Sequence, residues 1–413
     1  MQKKLIALAV AGLASAGAFA QSNVTIYGVA DASFESVKAD DAANATVDNA
    51  NVGSRTRVST NSSLIGFKGS EDLGNGLKAL FQFESTVNLT NPTAATTGNT
   101  VNAADGGANQ AAGLFGGKRD TFVALSGNFG TVLGGYVSTP YRSIVTGFDV
   151  VPGSAGSGAS NGVFGKALGG VNLVFRTNAI AYASPSFNGF SGVIAYVPNS
   201  AKTVDTTAAN TSTTNPYGWN LALNYANGGL KLAYSYLKLN DLGVGSVDNY
   251  GSVGNTASFS KEDHKAHLLA ASYDFGQGTT LVGMYQHFKG DFDVAGGGSL
   301  DLNRNSYFLG VKHVLGANEF AVSYQHAGKA GGNLLPTNDQ TDSSQWTLRY
   351  GYNFSKRTQV YALYSRIDNK DNANFNFANN GVSGGSTDNS LLGTGAAYGS
   401  NPTVYGVGIR HSF

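Results

Sequence analysis

The last eleven residues of the chain, Thr403 to Phe413, follow a two-residue alternation. Side chains of a β-strand point alternately to its two faces. One face of this stretch is therefore apolar and the other is small or polar, the two sets being Tyr405, Val407, Ile409 and Phe413 against Gly406, Gly408, Arg410 and Ser412. A terminal aromatic residue is unusual in a soluble protein, whose ends are commonly polar and frayed. The stretch predicts either the closing strand of a membrane barrel, apolar outside and wet inside, or a half-buried strand of a soluble sandwich.

The first twenty residues have the features of a secretory signal peptide. Lys3 and Lys4 supply the positive start, residues 5–18 form the apolar stretch, and Ala18-Phe19-Ala20 fits a cleavage site. The segment is too short and too rich in small residues for a transmembrane helix. We expect residues 21–413 to form the mature, exported protein.

Composition excludes several classes of protein. The formal net charge is +1, and it becomes −1 without Lys3 and Lys4, so there is no global electrostatic reason to expect a nucleic-acid partner. The chain has no cysteine and therefore no disulfide framework. Beyond the signal peptide no apolar run is long enough for a membrane-spanning helix. The 56 glycines, 20 tyrosines and 23 phenylalanines instead favour a β-rich envelope protein.

Turn signals recur along the chain and separate alternating stretches. Clusters of Gly, Asn, Asp and Ser predict seven tight turns, at residues 71–76, 127–130, 185–189, 226–229, 274–278, 315–318 and 354–357. Eight longer polar stretches lie between them, near residues 38–54, 88–118, 140–176, 199–216, 240–262, 289–304, 328–342 and 368–401. Fifteen connections join sixteen strands, with both ends of the chain on the side of the short turns.

The polarity of the alternating stretches favours the membrane barrel over the soluble sandwich. Trp346, Leu348 and Tyr350 share one face, opposite Thr347 and Arg349. Aromatic residues cluster near strand ends, where belts at two membrane interfaces require them. An even number of strands closes the sheet and leaves no edge unpaired in lipid. The sequence therefore predicts an all-β fold, a 16-stranded antiparallel transmembrane β-barrel with short periplasmic turns and long external loops.

Several stretches together resemble one family, the trimeric general-diffusion porins of Gram-negative outer membranes. The matching stretches are Val24–Gly28, Ile65–Gly74, Val123–Gly130, Tyr182–Phe187, Ser355–Thr358 and Val407–Phe413. The resemblance implies a homotrimer among outer-membrane lipids, with a passive water-filled channel for small hydrophilic solutes and ions in each barrel. It implies neither catalysis nor a cofactor.

The resemblance also implies that the third long loop, about residues 140–176, folds into the barrel and narrows it. The run 146–153 is suited to packing against an inner wall, and the glycine-rich run 153–158 can follow a tight path. From the residues alone, an ordinary surface loop is the favoured interpretation.

Fixed charge at the narrow point sets the selectivity of such a pore. The resemblance places a basic cluster on the wall opposite the loop, with Arg119 and Arg176 at two of its positions. Arg119 shares its phase with Val123 and Leu125, so alternation does not determine which way it faces. Lys68 lies opposite to its neighbour Phe67 in phase, and we expect it to face the lumen.

The loop itself carries the charged residues Arg142, Asp149, Lys166 and Arg176, of which one is acidic. A loop with few carboxylates that faces a basic wall predicts a preference for anions.

Two other functional classes remain open, an outer-membrane barrel hydrolase and a ligand-specific channel or adhesin. No Ser/His/Asp arrangement has supporting local sequence. His264 and His267 are three residues apart, which places them on opposite faces of a strand and argues against a metal site. Gly117-Lys118 is followed by Arg119, where a phosphate-binding loop needs Ser or Thr.

Overall fold

The alternating stretches form sixteen antiparallel strands, each hydrogen-bonded to its neighbours in chain order. The computed structural model describes residues 23–42, 51–90, 115–151, 153, 162–167, 172–199, 202–204, 213–242, 259–294, 297–335, 337–377, 381–382 and 398–413. The strands are β1 Asn23–Asp40, β2 Val52–Thr60 with Leu64–Gly74, β3 Leu77–Val87, β4 Phe115–Lys118 with Thr121–Gly127, β5 Gly130–Ser138, β6 Arg176–Ala183, β7 Phe190–Val197, β8 Tyr217–Asn227, β9 Leu230–Leu242, β10 Phe259–Asp274, β11 Thr279–Val294, β12 Ser299–Leu315, β13 Asn318–Ala327, β14 Ser343–Asn353, β15 Thr358–Asn369 and β16 Asn401–Ser412. Three two-residue strands, Thr203–Val204, Thr213–Thr214 and Gly331–Gly332, lie in the long connections. The predicted all-β, sixteen-stranded barrel is confirmed.

The first and last strands close the barrel. Their register runs from Val29 opposite Ser412 to Asp40 opposite Asn401. At the end of this seam the backbone amides of Gly28 and Phe413 each donate to the other's carbonyl oxygen, both over 3.1 Å. The carboxy-terminal stretch is therefore the closing strand that its alternation predicts.

Strand β2 is interrupted between Thr60 and Leu64, where the Ser63 side chain takes the place of backbone hydrogen bonds between strands. Ser63 Oγ donates to the carbonyl oxygen of Asp31 over 3.0 Å and accepts from the Asp31 amide over 2.9 Å. The Asn61 amide donates to the same carbonyl, and Ser62 lies between them with φ of 52°. Because the hydroxyl satisfies backbone groups that a regular strand would pair, the break leaves no polar group of Asp31's backbone unpaired.

Seven short connections join strand pairs at one end of the barrel, as predicted, and the eight other connections lie at the other end. The prediction of a long polar stretch at residues 289–304 is wrong, because β11 runs to Val294 and β12 begins at Ser299, with a connection of four residues between them. Gly278 shows why the short turns need glycine. Its φ is 83°, and a Cβ atom there would collide with the carbonyl oxygen of Val314.

Apolar side chains face outward and smaller or polar ones face inward. On the middle of β12, Leu309 is 59% exposed, whereas Gly310 beside it is buried. Val322 and Leu348 on the next two strands are exposed, and Ser323 and Thr347 are buried. The outside of the barrel is thus the apolar side, which is the polarity of a protein that sits in a membrane. Among the described residues, no helix has the length and apolar character to cross a membrane.

The inner wall has two different halves. On β8 to β12 many inward residues are apolar and fully buried, including Ala222, Leu237, Leu268, Met284 and Phe308. Sequence alternation predicted small or polar residues on this side. The apolar inner half is stable because another part of the chain covers it and excludes water from it.

We expect replacement of Leu309 by Arg to lower the free energy of unfolding by about 2–4 kcal/mol, because a guanidinium on the lipid face near the middle of the bilayer is poorly solvated. Urea unfolding of the barrel in lipid vesicles measures the change. Leu309→Met is the matched control and should differ little from the wild type. Equal stability of the Arg variant would contradict the assignment of this face to lipid.

The lumen and its third loop as the candidate functional site

The third long connection begins with a short helix, α1 Pro140–Phe148. Thr139 caps it, since its hydroxyl oxygen accepts from the Arg142 amide over 3.2 Å, and Pro140 occupies the first turn. Ile144 and Val145 are buried on one face of the helix, together with Tyr141 at a spacing of three and four residues. The local sequence therefore produces an amphipathic helix whose apolar face needs a partner.

That partner is the apolar half of the inner wall. The Tyr141 amide donates to Asn220 Oδ1, and the Tyr141 hydroxyl donates to Gln286 Oε1, both over 2.7 Å. Burial raises the pKa of Tyr141 well above its ordinary value. Further along, Val150 lies so close to Gly310 that a Cβ atom on the glycine would be 2.7 Å from it. The third loop is thus folded into the barrel and lies along β8 to β12.

The loop then reaches other parts of the wall. Gly153 approaches Arg410 on β16, where a Cβ atom on the glycine would be 2.9 Å from the guanidinium. The Phe164 amide donates to Gln325 Oε1 over 2.9 Å, on the inner face of β13. Lys166 is buried and donates from Nζ to the carbonyl oxygen of Asn376 over 2.8 Å. Burial lowers the pKa of Lys166 to about 8. Of the predicted glycine-rich run 153–158, all but its first residue lies outside the described residues.

An open cavity of about 450 Å³ separates α1 from the wall formed by β3 to β5. The wall contributes Gln82, Asp120, Phe122, Leu133, Val137 and Ser138, and the polar face of the helix contributes Ser143, Thr146 and Gly147. Polar side chains line this space on both the wall side and the helix side. Water and small hydrophilic solutes can therefore occupy it.

Lys68 and Arg119 lie on the inner face of the wall beside this cavity. The Lys68 ammonium is 5.0 Å from the centre of the Tyr27 ring. Tyr27 donates its hydroxyl to Glu84 Oε1 over 2.8 Å, and Arg119 Nε is 3.7 Å from Glu84 Oε2. Arg119 falls in the break between the two segments of β4, so the outward phase of Val123 does not extend to it.

Arg176 is paired on the same wall. Its Nε donates to Asp120 Oδ2 over 3.1 Å, and Ser138 donates to Asp120 from its amide and its hydroxyl. Arg176 is the first residue of β6, so the loop ends one residue earlier than the predicted boundary. The arginine is nearly buried, whereas Asp120 lines the cavity.

The two loop residues Arg142 and Asp149 hold the loop's own shape. Arg142 Nη1 donates to the carbonyl oxygen of Val174 over 2.9 Å, which joins the outgoing and returning halves of the loop. Asp149 Oδ1 accepts from the Val151 amide over 3.0 Å, at the end of α1. Both side chains are partly exposed to the lumen.

The structure adds charged groups that the sequence interpretation omitted. Arg57 Nε donates to the buried Glu35 over 2.8 Å, and Arg410 Nη1 donates to the buried Asp31 over 2.9 Å. Arg55 lies on the same face of β2 as Arg57, two residues before it. The spacing Arg-x-Arg within an alternating stretch indicates that Arg55 and Arg57 share one face of a strand. The predicted loop at residues 38–54 ends directly before them.

A second connection also enters the barrel, between β15 and β16. Phe375, Asn376, Phe377 and Val382 are all buried, packed among inward residues such as Val37 and among loop residues such as Val163. The Asn376 side chain holds this segment by accepting from the amides of Phe377 and Val382 and donating to the Val382 carbonyl. We call residues 372–377 with 381–382 the mouth segment.

Basic side chains from three parts of the barrel hold the mouth segment. Arg57 Nη1 donates to the Gly381 carbonyl over 2.7 Å, and Lys166 donates to that of Asn376. The Arg304 guanidinium lies 5.2 Å from the centre of the Phe375 ring. No sequence pattern had pointed to this segment, because its polar and aromatic residues match those of an external loop.

His264 and His267, which are three residues apart in the sequence, lie on opposite faces of β10. His264 faces the lumen beside Glu262, and His267 faces outward beside Tyr234. Within the described part of the chain, no three His, Cys, Asp or Glu side chains are grouped so that they could hold a metal ion.

Comparison with known proteins agrees with this architecture. Residues 7–372 match the family model described as Gram-negative porin. The chain is 31% identical over 419 residues to outer membrane porin protein 32 of Delftia acidovorans, with all of both chains covered. It is 28% identical over 361 residues to major outer membrane protein P.IB of Neisseria gonorrhoeae, covering 87% of this chain and 92% of that one.

Among solved structures, the anion-selective porin from Comamonas acidovorans superposes with a TM-score of 0.68 at 26% identity, covering 95% of this chain and all of that one. A closed barrel, an apolar exterior, an inward third loop and a cavity beside it are the parts of a passive diffusion channel in the outer membrane, not of an enzyme. The chain belongs to the Gram-negative porins.

Proposed function

We propose that the mature protein, residues 21–413 after removal of a signal peptide at 1–20, is a homotrimeric porin that favours small hydrophilic anions. The loop at about residues 140–176 forms its constriction, with Lys68, Arg119, Arg142, Asp149 and Arg176 as the charged groups that face or shape it. The structural similarity to the anion-selective porin from Comamonas acidovorans supports the same preference.

The proposal rests on the exposure of the paired charges on the wall of β1, β2 and β16, where the basic side chain of each pair is more exposed than the acidic one. In the pair of Arg57 with Glu35, the side chains are 15% and 0% exposed. In the pair of Arg410 with Asp31, they are 29% and 2% exposed. In both pairs the guanidinium is the group nearer the water, so a solute meets the positive end of each pair.

Lys68 and Arg55 extend this positive surface, since both are exposed on the inner face. The pairs of Arg176 with Asp120 and of Arg349 with Glu319 have the opposite order, with the carboxylate the more exposed partner. The lumen therefore has mixed charge with a basic excess, and low-dielectric walls strengthen the field of that excess.

Replacing Lys68 by Glu and, separately, Arg119 by Glu should shift the reversal potential in a salt gradient toward cation selectivity. Each change reverses a charge beside the cavity. The measurement is the reversal potential and single-channel conductance in planar bilayers at low salt, where screening is weakest. Lys356→Glu, on an exposed turn at the opposite rim, is the control of equal charge. Cation preference of the unaltered protein would overturn the proposed selectivity.

We also propose that the mouth segment is a second narrowing, on the side of the long loops. It is buried across the inner wall of β1, β15 and β16, and it contacts the third loop through Lys166 and Asn376. A solute must therefore pass both segments in turn.

Replacing Phe375, Asn376 and Phe377 with Gly-Ser-Gly should raise the single-channel conductance, since the segment loses its packing and its Asn376 clamp. Planar-bilayer recordings measure the change. The same substitution at the largely exposed residues 337–339 controls for loop flexibility and should leave conductance near the wild-type value. Unchanged conductance in the first variant would show that the segment does not limit flow.

For the homotrimer, the supporting feature is an apolar groove on the outside of the barrel near its seam. Small side chains, Ala32 and Ala362, form its floor, and Phe34, Val58, Val407 and Ile409 lie around it. Close-packed small residues allow another apolar surface to approach closely within a membrane.

Ala362→Trp should fill this groove and convert the assembly to monomers. The oligomeric state in detergent is measured by light scattering after size-exclusion chromatography. Ala271→Trp adds the same side chain at an exposed, outward position on β10 and should leave the assembly intact. Intact trimers in the Ala362 variant would exclude the groove as the contact.

A further inference from the structure

Three apolar side chains line the wall side of the open cavity beside α1. Phe122 on β4 and Leu133 and Val137 on β5 border this space, and Phe122 and Leu133 are only half-buried. We call these three residues the apolar strip. On β8 to β12 the inward apolar residues are packed beneath the third loop, whereas the apolar strip borders the passage itself. Such a surface attracts the apolar part of a passing solute, because their contact removes both from water.

The apolar strip lies in register with a cation. Lys68 on β2 is directly opposite Gln82 on β3, and Gln82 is directly opposite Phe122 on β4. Neighbouring strands are about 4.7–4.9 Å apart, so the backbones at Lys68 and Phe122 are separated by about 10 Å along one inward-facing row. The Gln82 amide between them donates to the Asp120 carbonyl over 3.4 Å, which holds it against the wall. One row therefore offers a positive charge and an aromatic ring within the span of a small molecule.

The ammonium group of Lys68 has a defined position beside this row. It lies 5.0 Å from the centre of the Tyr27 ring, and the hydrogen bond from Tyr27 to Glu84 fixes that ring in turn. A cation–π contact does not use the hydrogen-bond donors of an ammonium group as an ion pair does, so they can be offered to a carboxylate. Arg119, 3.7 Å from Glu84, adds a second positive charge nearby.

The helix side of the cavity leaves room for an apolar ring. Thr146 donates its hydroxyl to the Arg142 carbonyl over 2.9 Å, and Ser143 donates to the Thr139 carbonyl over 3.2 Å. Both hydroxyl protons are thus used inside α1. At Gly147 an added Cβ atom would meet nothing within 4 Å, so the helix borders open space there. A flat ring can therefore lie between α1 and the apolar strip without breaking a hydrogen bond of the helix.

Asp120 is the acidic residue among those that line the cavity. Arg176 is 3.1 Å from its carboxylate, and Ser138 donates to it from its amide and its hydroxyl. These donors compensate the negative charge. Asp120 therefore repels an anion less than an unpaired carboxylate would.

We propose that the constriction favours anions that carry an apolar ring, with aromatic monocarboxylates as the substrate class. The carboxylate contacts Lys68, and the ring lies on Phe122 and Leu133, which determine the specificity. The cavity of about 450 Å³ has the size of a small-molecule site, for which about 300–1,000 Å³ is typical. This inference rests on the proposed anion preference of the channel and adds which anions it prefers.

The test compares benzoate with threonate in planar bilayers. Threonate is a polyhydroxylated monocarboxylate with the same number of non-hydrogen atoms as benzoate. Reversal potentials under bi-ionic conditions give the permeability of each relative to chloride. In the wild type we expect benzoate to be about threefold to tenfold more permeant than threonate, which is the factor that one aromatic contact contributes. Equal permeability of the two anions, or a preference for threonate, would overturn the proposal.

Phe122→Gln should remove the preference for benzoate, because it replaces the ring with a polar side chain. Phe122→Leu is the matched control, since Leu and Gln are similar in size, and it should keep most of the preference. Leu133→Asn is an independent variant on the neighbouring strand and should weaken the preference as well. The proposal is wrong if both polar variants keep the wild-type ratio, or if Phe122→Leu loses as much of it as Phe122→Gln.

Selectivity between chloride and potassium separates this inference from the proposed function. Phe122→Gln changes no charge, so it should keep the wild-type preference between these two ions. A wild-type channel that prefers chloride but admits benzoate and threonate equally would overturn the ring preference and leave the anion selectivity standing. A wild-type channel that prefers potassium but admits benzoate more readily than threonate would contradict the anion selectivity and support the role of the apolar strip.

Discussion

The pore depends on one packing interaction, the burial of helix α1 and the residues after it against the apolar half of the inner wall. A barrel of sixteen strands encloses more space than its own side chains can fill. Part of that space is occupied because Leu237, Leu268 and Phe308 present apolar surface to Tyr141, Ile144 and Val150. Polar anchors at Asn220 and Gln286 fix the position of the loop, and the hydrophobic burial supplies the attraction. The part of the lumen that the loop does not fill is the open channel.

Ion pairs perform two tasks in this open part of the lumen. Glu35 and Asp31 are buried on the inner face of β1, and each holds an arginine in a fixed orientation toward the water. The same guanidinium of Arg57 also supports the mouth segment through the Gly381 carbonyl. A charge that is fixed in this way keeps its position as solutes pass, whereas a free side chain would move with them. The proposed selectivity thus rests on residues that also hold the structure together.

Much of the fold could be predicted from the sequence because its signals are local. Strand alternation, turn residues and the polarity of Thr403–Phe413 are read within a few positions, and the strand count, turns and seam follow from them. The apolar inner wall could not be predicted in this way. Residues such as Leu268 and Met284 satisfy alternation on either face, and only the docked loop, distant in sequence, determines that they are buried inside.

The candidate site was predictable in part for the same reason. Lys68 lies in a regular strand, so its phase gave its inward direction. Arg119 lies in a break between strand segments, where phase is lost, and its contact with Glu84 depends on the neighbouring strand. The mouth segment depends on contacts between residues more than two hundred positions apart, such as Lys166 with Asn376. No local pattern carries that information.

The seam between β1 and β16 has a consequence for biogenesis. Gly28 and Phe413 lie at opposite ends of the polypeptide, yet each satisfies the other's backbone. Contacts of such separation form late, because the entropy of the intervening chain must be lost first. Until the final residue has arrived, the edges of both strands offer unpaired amides and carbonyls to any other extended chain. A truncated or stalled polypeptide of this kind is therefore an open template for misassembly, and its safe passage across the periplasm requires that both edges be shielded along the way.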